Sequence, residues 1–379
     1  MIPDSSAFAR LAVRLEHERA DAVPLAEMIA ADPDRYLDLP LPPAWRNVGL
    51  VSGLINEARE ELERSPERSL KIAQLALSIA LALPESYPRV LRKQAESQAW
   101  KELSNAHRYR SDYEAALRAL DEGDRCVDPE PALGHDHAVL QLARAITYRE
   151  LDRTSEALEC LQEAADTFRE FRDHVRLAQC ELVVGMIHYR LGERTSARQA
   201  FMRVISAARN AGDLQTVAAA YNNLGHAASS SGEVNAAMDA FHQARAIFGE
   251  LGMPGEVARV KWGMGSALLS AGRYDDARTT LRQARETFAS LVMPEESGLV
   301  GIEIAEALLA MQQRTAAHEV LVAVVEEFRN AKLSERALQA VAYLRDVADA
   351  ATPASARHVA QYVRQLKIDP TLIFLPQEM

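Results

Sequence analysis

The sequence predicts an all-α protein built as a solenoid of helix–turn–helix repeats. The first observation is a period of about 40 residues, seen in an alanine column whose steps are 41 and then 40 four times: Ala116, Ala157, Ala197, Ala237, Ala277 and Ala317. The second is helical spacing within each period, and the third is that no run of alternating β-branched residues is long enough for a sheet. A fixed period of this size indicates a stacked repeat array, which is first of all a binding surface.

Each period predicts two helices, called here the first and the second helix of a repeat. In the fourth repeat Tyr221, Leu224, Gly225 and Ala228 have the offsets of one helical face. Gly232 follows where the chain must turn, because glycine adopts a left-handed conformation without a Cβ clash. The second helix then carries an apolar face at Val234, Ala237, Phe241, Ala244 and Phe248.

Two columns predict how the helices pack. The first helices share a column of small residues: Ser104, Ala145, Gly185, Gly225, Gly265 and Ala305. Because glycine within a helix costs roughly 1 kcal/mol relative to alanine, we expect the second helix to approach closely there. The second helices share a larger apolar column, which we expect to fill the space between repeats: Leu120, Leu161, Phe201, Phe241, Leu281 and Leu321.

These columns resemble the tetratricopeptide repeat family. The match is close in the segment YNNLGHAASSSGEVNAAMDAFHQARAIF and extends over about residues 90–330. The usual repeat of the family has about 34 residues, so each unit here carries about six more. The longer helices are similar to those of the peptide-receptor and Leu-Gly-Asn branches of the family. The resemblance implies a right-handed superhelix whose first helices line a concave groove, and it implies no particular ligand.

Proline-rich breaks and degenerate repeats predict the domain organisation. Residues 1–45 form an N-terminal helical cap and a Pro-rich connector, and residues 46–83 form a degenerate helical repeat whose second helix starts after Ser65. Residues 84–330 hold six repeats. Residues 331–379 form a C-terminal helical cap and an apolar tail, which either lies back on the last helices or docks on another chain.

Composition limits the class of partner. The net charge is −11 and basic residues form no stripe, so direct binding of nucleic acid is not expected. No apolar run is long enough for a membrane span, and the N-terminus lacks a secretory signal. Three cysteines, Cys126, Cys160 and Cys180, have no pairing motif, which favours reduced thiols in a cytoplasmic protein.

The sequence carries no catalytic constellation, so the protein is predicted not to be an enzyme and to use no cofactor. A Gly-rich phosphate loop, an HExxH motif and a paired CxxC motif are all missing. The segment GHDH puts His135 and His137 close together in a predicted loop, but a metal site needs more ligands than these.

The groove of the repeat array is the expected binding site, and it is formed by first-helix positions beside the packing stripe. The candidate residues come from five successive repeats: Lys101, Asn105, Arg108, Arg149, Tyr189, Arg190, Asn222, Asn223, His226, Arg259 and Trp262. In the sixth repeat the same positions are apolar and acidic, at Ile302, Glu303, Glu306 and Leu309. Equivalent positions stack in register along a solenoid, so these residues are predicted to line one continuous surface.

Three features of the groove suggest how it binds. Lys101 and Asn105 resemble half of the carboxylate clamp of chaperone-adaptor repeats. The positions where the clamp's second asparagine and its later basic pair would fall hold residues of other types. Asn222 and Asn223 can hold a peptide backbone, because each amide offers a donor and an acceptor, or they are simply common in this repeat type. Trp262 is expected to be at least half exposed and to act as a binding hot spot.

The sequence therefore predicts a non-enzymatic scaffold that binds a peptide or protein segment in its groove. The alternative is a peptide-sensing regulator that resembles the quorum-sensing receptors built on similar repeats. Because residues 1–45 are too short and too acidic for an output module of their own, such a regulator would act through a separate output protein. The partner's identity and homo-oligomerisation stay open.

Overall fold

The computed structural model describes residues 5–62, 64–331, 333–366, 368–369 and 371–376, with backbone alone for residues 5–9. Over these residues the regular structure is helical, without a strand, which confirms the all-α prediction. The first four residues of the predicted cap and the last three of the tail lie outside them. The chain divides into two compact units, Met1–Asp173 and His174–Met379.

The first unit holds the predicted cap, the degenerate repeat and two full repeats. Short 3-10 turns at Pro43–Trp45 and Pro131–Leu133 interrupt the helices. The helices are α1 (Ser5–Ala31), α2 (Asp34–Leu37), α3 (Val48–Glu61), α4 (Pro66–Leu81), α5 (Arg89–Tyr109), α6 (Tyr113–Val127), α7 (Gly134–Glu150) and α8 (Thr154–Glu170).

The second unit holds the other four repeats and the C-terminal pair. Its helices are α9 (His174–Arg190), α10 (Arg194–Asn210), α11 (Leu214–Ser230), α12 (Val234–Glu250), α13 (Pro254–Ser270), α14 (Tyr274–Ser290), α15 (Pro294–Ala310), α16 (Arg314–Asn330), α17 (Glu335–Asp346) and α18 (Pro353–Gln365). From α9 to α15 the first helices start every 40 residues, as the alanine column predicts.

The turns between helices need a left-handed residue. Gly192, Gly232 and Gly272 follow first helices with φ of 76°, 77° and 75°, which confirms the role predicted for glycine there. Val292 takes the equivalent conformation after a second helix, with φ of 57°. A β-branched residue with a positive φ is strained. The packing of the helices therefore imposes this turn even where the residue type disfavours it.

The small column allows the close approach that the sequence predicts. A Cβ atom added at Gly225 would lie 2.7 Å from the ring of Phe241, and one at Gly185 would lie 2.7 Å from the ring of Phe201. At Gly265 the distance to the side chain of Leu281 would be 2.5 Å. Real Cβ atoms need about 3.5–4.0 Å to such neighbours. The side chains of the second helices therefore pack directly on the backbone of the first helices at these glycines.

The N-terminal helices also pack at close range. A Cβ at Gly49 of α3 would lie 2.1 Å from the backbone oxygen of Glu18 in α1. The Tyr87 hydroxyl donates to the Glu18 carboxylate at 2.7 Å. At the start of α4, the Ser65 side chain accepts a hydrogen bond from the Arg68 amide at 3.3 Å, which is the N-cap that the sequence predicts.

The C-terminal pair departs from the repeat pattern. Helix α17 packs against α16 as a following repeat would, but α18 packs against α15, the first helix of the sixth repeat. Residues 371–376 of the tail lie back on this pair, with the Phe374 ring 5.5 Å from Tyr343 and 5.0 Å from Tyr362 between centroids. The end of the array is therefore covered from within the chain.

Candidate functional site

The candidate residues lie on first helices in both units. In the first unit they are on α5 and α7: Lys101, Asn105, Arg108 and Arg149. In the second unit they are on α9, α11 and α13: Tyr189, Arg190, Asn222, Asn223, His226, Arg259 and Trp262. Within the second unit the first helices of neighbouring repeats are in contact, so their side chains share one surface, called here the first-helix face.

Lys101 and Asn105 of the first unit are both bound to one carboxylate of the chain itself. Lys101 Nζ lies 2.7 Å from Glu102 Oε1, and Asn105 Nδ2 donates to Glu102 Oε2 at 2.9 Å. Arg59 of α3 donates to the same carboxylate at 2.7 Å. Burial alone would raise the pKa of Glu102, but Lys101 and Arg59 outweigh it and hold that pKa below its ordinary value. Glu102 thus fills the place that a ligand carboxylate would take in a clamp.

The two arginines of this unit contact their own helices. The Arg108 guanidinium lies over the ring of Tyr109 at 4.8 Å, and Arg149 forms an ion pair with Glu150. Both side chains are partly buried.

In the second unit, α11 presents Asn222, Asn223 and His226 on adjacent turns. Asn222 Oδ1 is buried and has no hydrogen-bond partner among the described residues. The His226 ring meets Phe241 edge-on at 5.1 Å and fits where Gly263 of α13 has no side chain. Burial lowers the pKa of His226 to about 4, so the imidazole is neutral at pH 7 and offers one donor and one acceptor.

The helices on either side of α11 contribute a mixed set. Tyr189 and Arg190 are exposed at the end of α9. Arg259 of α13 is partly buried and lies within 3.5 Å of Glu256 and 3.4 Å of Glu296. A cation at Arg259 is therefore balanced by two carboxylates, whereas the end of α9 is more open to solvent.

The expectation that Trp262 is at least half exposed is wrong. Trp262 is partly buried and packs against the core of the last repeats, with its ring edge-on to Phe288 at 6.1 Å. The Arg364 guanidinium of α18 lies 5.6 Å above its ring. The physical reason is that α18 covers the neighbouring part of the first-helix face, so this indole has protein on two sides.

The sixth repeat does not offer the open apolar and acidic surface that was predicted. Ile302 and Leu309 are buried at 0% and 2% exposure, and Glu303 and Glu306 at 6% and 5%. Glu306 forms an ion pair with Arg357 of α18 at 2.6 Å, and Glu303 forms one with Arg364. Ser266 of α13 also donates to Glu303 at 2.6 Å. Because apolar residues of α18 need cover, this helix occupies the end of the first-helix face.

The two arginines of α18 were missed at the level of sequence. A signal for them was present, since Glu303 and Glu306 interrupt the otherwise apolar stretch of α15 after Ser297 and so need cations from elsewhere. Arg357 and Arg364 are seven residues apart on one face of a later helix. The sequence does not show which distant cation forms an ion pair with which carboxylate, because tertiary packing decides this.

His135 and His137 lie in the first turn of α7, not in a loop. The helix starts earlier than the GHDH segment suggests, because the 3-10 turn at Pro131–Leu133 leads directly into it. His135 Nε2 lies 2.9 Å from Asp173 Oδ2, with the ring edge-on to Phe168 and Phe171. Over the described residues, no three His, Cys, Asp or Glu side chains are grouped as metal ligands.

None of the helices in the described part of the chain has the length and apolar character needed to cross a membrane. The thiols of Cys126 and Cys160 are held protonated, since burial raises their pKa values to about 12 and about 11. These groups carry no feature of a reactive site.

Comparison with known proteins supports the repeat assignment. A sequence model of the tetratricopeptide repeat matches residues 136–210 and 216–290. No curated protein matches the chain.

Solved structures share the fold across nearly their whole length. A Rap protein complexed with competence and sporulation factor is 16% identical, with a TM-score of 0.59 and coverage of 95% of this chain and 99% of that one. NprR in complex with its cognate peptide NprX is 12% identical, with a TM-score of 0.53 and coverage of 96% and 99%. Aspartyl phosphate phosphatase F from Bacillus subtilis is 13% identical, with a TM-score of 0.53 and coverage of 100% and 99%.

Identities this low show similarity of fold alone. The matched repeats, the columns that space them and the helix pairs that start every 40 residues agree with one another. On this evidence, residues 136–210 and 216–290 form tetratricopeptide repeats, and the chain as a whole shares its fold with repeat proteins of this type.

Proposed function

We propose that this protein is a non-enzymatic scaffold that binds an extended peptide or protein segment along its first-helix face. The part of the face on α9, α11 and α13 is the central binding surface. The part on α15 is covered by α18, so the bound segment ends where Trp262 and Arg364 meet. For the first unit, taken by itself, Lys101, Asn105, Arg108 and Arg149 are proposed as contacts of a bound segment, with Glu102 displaced from Lys101 and Asn105 when they engage it.

The observation that carries this proposal is the unpaired amide oxygen of Asn222. A buried acceptor without a partner costs about 1–3 kcal/mol, so a structure keeps one where a ligand or a water molecule supplies the missing donor. A peptide N–H is such a donor. The neutral His226 imidazole, one turn further along α11, adds a second donor–acceptor pair that suits an uncharged backbone.

Charge indicates how the segment is oriented. Arg190 is exposed at the last residue of α9, a helix in contact with α11, so an acidic or carboxylate group of the ligand is expected near it. Ion pairs in such a partly wet site fix orientation more than they add affinity. The segment should therefore carry its negative charge at the α9 side.

A second candidate function is a peptide-sensing regulator that acts through a separate output protein. It is favoured by the similarity of the fold to peptide-bound regulators, among them a Rap conjugation gene regulator in complex with the Phr* peptide and NprR in complex with its cognate peptide NprX. In this version, peptide binding would change the affinity of the chain for the output protein. The two functions share one binding site and differ in that coupling.

The test is selection of displayed random peptides on the full chain, followed by calorimetric titration of the winners. Asn222→Ala should weaken their binding about tenfold without lowering the melting temperature, since a buried hydrogen bond to a ligand is worth about that much. Asn235→Ala changes an exposed asparagine of α12 and is the matched control. Peptides that bind the Asn222→Ala variant as tightly as the wild type would refute the proposed site.

The regulator version needs one further measurement. Proteins captured from the native host by the full chain are compared with and without a saturating selected peptide. A partner protein whose capture changes with the peptide supports the regulator function. If the capture of every partner is independent of the peptide, the regulator function is refuted and the scaffold function remains.

A further inference from the structure

The second unit contains a polar cavity that the groove does not use. It has a volume of about 440 Å³ and lies between the second helices α14 and α16, with α15 as its floor. Its polar lining comes from Arg282, Arg285 and Glu286 of α14, Ser297 of α15 and Glu327 of α16. This volume is within the range of about 300–1,000 Å³ that is typical of small-molecule sites.

A glycine lies beside the wall of this cavity at a position where other repeats carry large side chains. Gly301 of the sixth repeat is equivalent, 40 residues on, to Lys261 and, 80 on, to Tyr221. A Cβ at Gly301 would lie 3.4 Å from the Arg285 guanidinium carbon and 2.4 Å from a methyl group of Val324. Any side chain at Gly301 would therefore push into the cavity wall.

Polar groups replace apolar ones at the positions around this glycine. Ser297 is equivalent to Val257 and Val217, and Glu327 is equivalent to Thr287 one repeat earlier and to Ile247 two repeats earlier. In those repeats the apolar residues pack into the core between helices. The sixth repeat gives up that packing, which is unfavourable unless the polar groups serve a purpose.

Ser297 supplies a second, independent sign of a ligand. Its side chain is 1% exposed, and its hydroxyl has no hydrogen-bond partner among the described residues. The neighbouring repeats show that valine fits this place, so the hydroxyl is not forced by packing. A buried hydroxyl on the floor of a cavity is available to a bound molecule.

The charges of the lining are balanced. Arg285 Nη2 lies 3.2 Å from Glu327 Oε2 across the cavity, and Arg282 and Glu286 are exposed at its rim. Two guanidinium groups and two carboxylates match a ligand that itself carries one charge of each sign. Ile304 and Val320 add an apolar wall for the remainder of the ligand.

We propose that this cavity binds a small zwitterion, of the class of free amino acids and dipeptides. The ligand carboxylate pairs with the arginines, its ammonium group pairs with Glu327 or Glu286, and Ser297 completes the hydrogen bonding. The site is separate from the first-helix face and stands independently of the proposed peptide binding.

Isothermal titration calorimetry of the full chain with the proteinogenic amino acids and a series of alanine-containing dipeptides tests this proposal. Acetate, inorganic phosphate and ethylammonium are titrated as probes with charge of one sign only. We expect at least one zwitterion to bind and the single-sign probes to bind at least about tenfold more weakly. No binding by any zwitterion, or equal binding by a single-sign probe, would overturn the proposal.

Two variants locate the site. Ser297→Val introduces the residue of the neighbouring repeats, so the protein should keep its melting temperature and lose about tenfold in affinity for the zwitterion. Arg285→Gln should weaken binding at least as much, whereas Arg245→Gln, the same position one repeat earlier, should leave it unchanged. Wild-type affinity in both Ser297→Val and Arg285→Gln would place the bound molecule elsewhere.

Discussion

Replacing Gly225 with alanine tests the packing on which every repeat depends. The added Cβ would lie 2.7 Å from the Phe241 ring, where about 3.5–4.0 Å is normal, so the ring or α12 must move by about 1 Å. Phe241 is fully buried, so its ring cannot move aside into solvent. Overpacking of this kind costs about 1–3 kcal/mol.

Helix propensity acts in the opposite direction and must be separated from packing. Alanine is favoured over glycine within a helix by about 1 kcal/mol, so the net loss at Gly225 is about 0–2 kcal/mol. Gly249→Ala in α12 is the matched control, because a Cβ there meets nothing within 4 Å. The difference between the two variants removes the propensity contribution and should be about 1–3 kcal/mol.

Urea unfolding followed by far-UV circular dichroism measures this difference, with the two variants and the parent compared over the whole transition. Repeat arrays can unfold in parts, so equal slopes must be shown before free energies are compared. If Gly225→Ala is as stable as Gly249→Ala, the close approach of first and second helices is not what the small column provides.

Four further outcomes are expected. Val292→Gly should raise the free energy of unfolding by about 1 kcal/mol in the same assay, because glycine relieves the left-handed strain; an unchanged or lower value would contradict that. Trp262→Ala should lower stability by about 2–4 kcal/mol, since the indole packs on the core rather than standing in solvent; an unchanged melting temperature would contradict this. The pKa of His226 is about 4 in the folded state and about 6.5 in the unfolded state, so between these values the unfolded state binds more protons than the folded state. The free energy of unfolding therefore falls as the pH is lowered from about 6.5 to 4. From pH 8 to pH 5 the parent should lose about 2 kcal/mol more than His226→Gln, and equal losses would refute the burial argument. Duplex DNA should not bind at physiological salt in a fluorescence anisotropy titration, because the net charge is −11; a specific Kd below about micromolar would contradict it.

Local and periodic features were decided by the sequence itself. The 40-residue period, the helix pairs, the left-handed glycines and the small column at Gly185, Gly225 and Gly265 all follow from residue type and spacing. They could be predicted because each repeat contacts mainly its neighbours, so the pattern along the chain is also the pattern of contacts. The proposed binding face was assigned to the first helices from the same periodicity, and it stays a prediction.

Contacts between distant parts of the chain were decided only by the tertiary structure. Glu102 joins Lys101 and Asn105 to Arg59, which is 43 residues away, and Glu306 meets Arg357 at a separation of 51. No period links these pairs, because they involve the worn N-terminal repeat and the C-terminal helix α18. The same packing of α18 partly buries Trp262 and covers the first helix of the sixth repeat, where sequence alone predicted an open groove. The packing inside a solenoid follows from the repeated sequence pattern, because each repeat contacts its neighbours. The packing at its ends depends on how much apolar surface the last helices must cover.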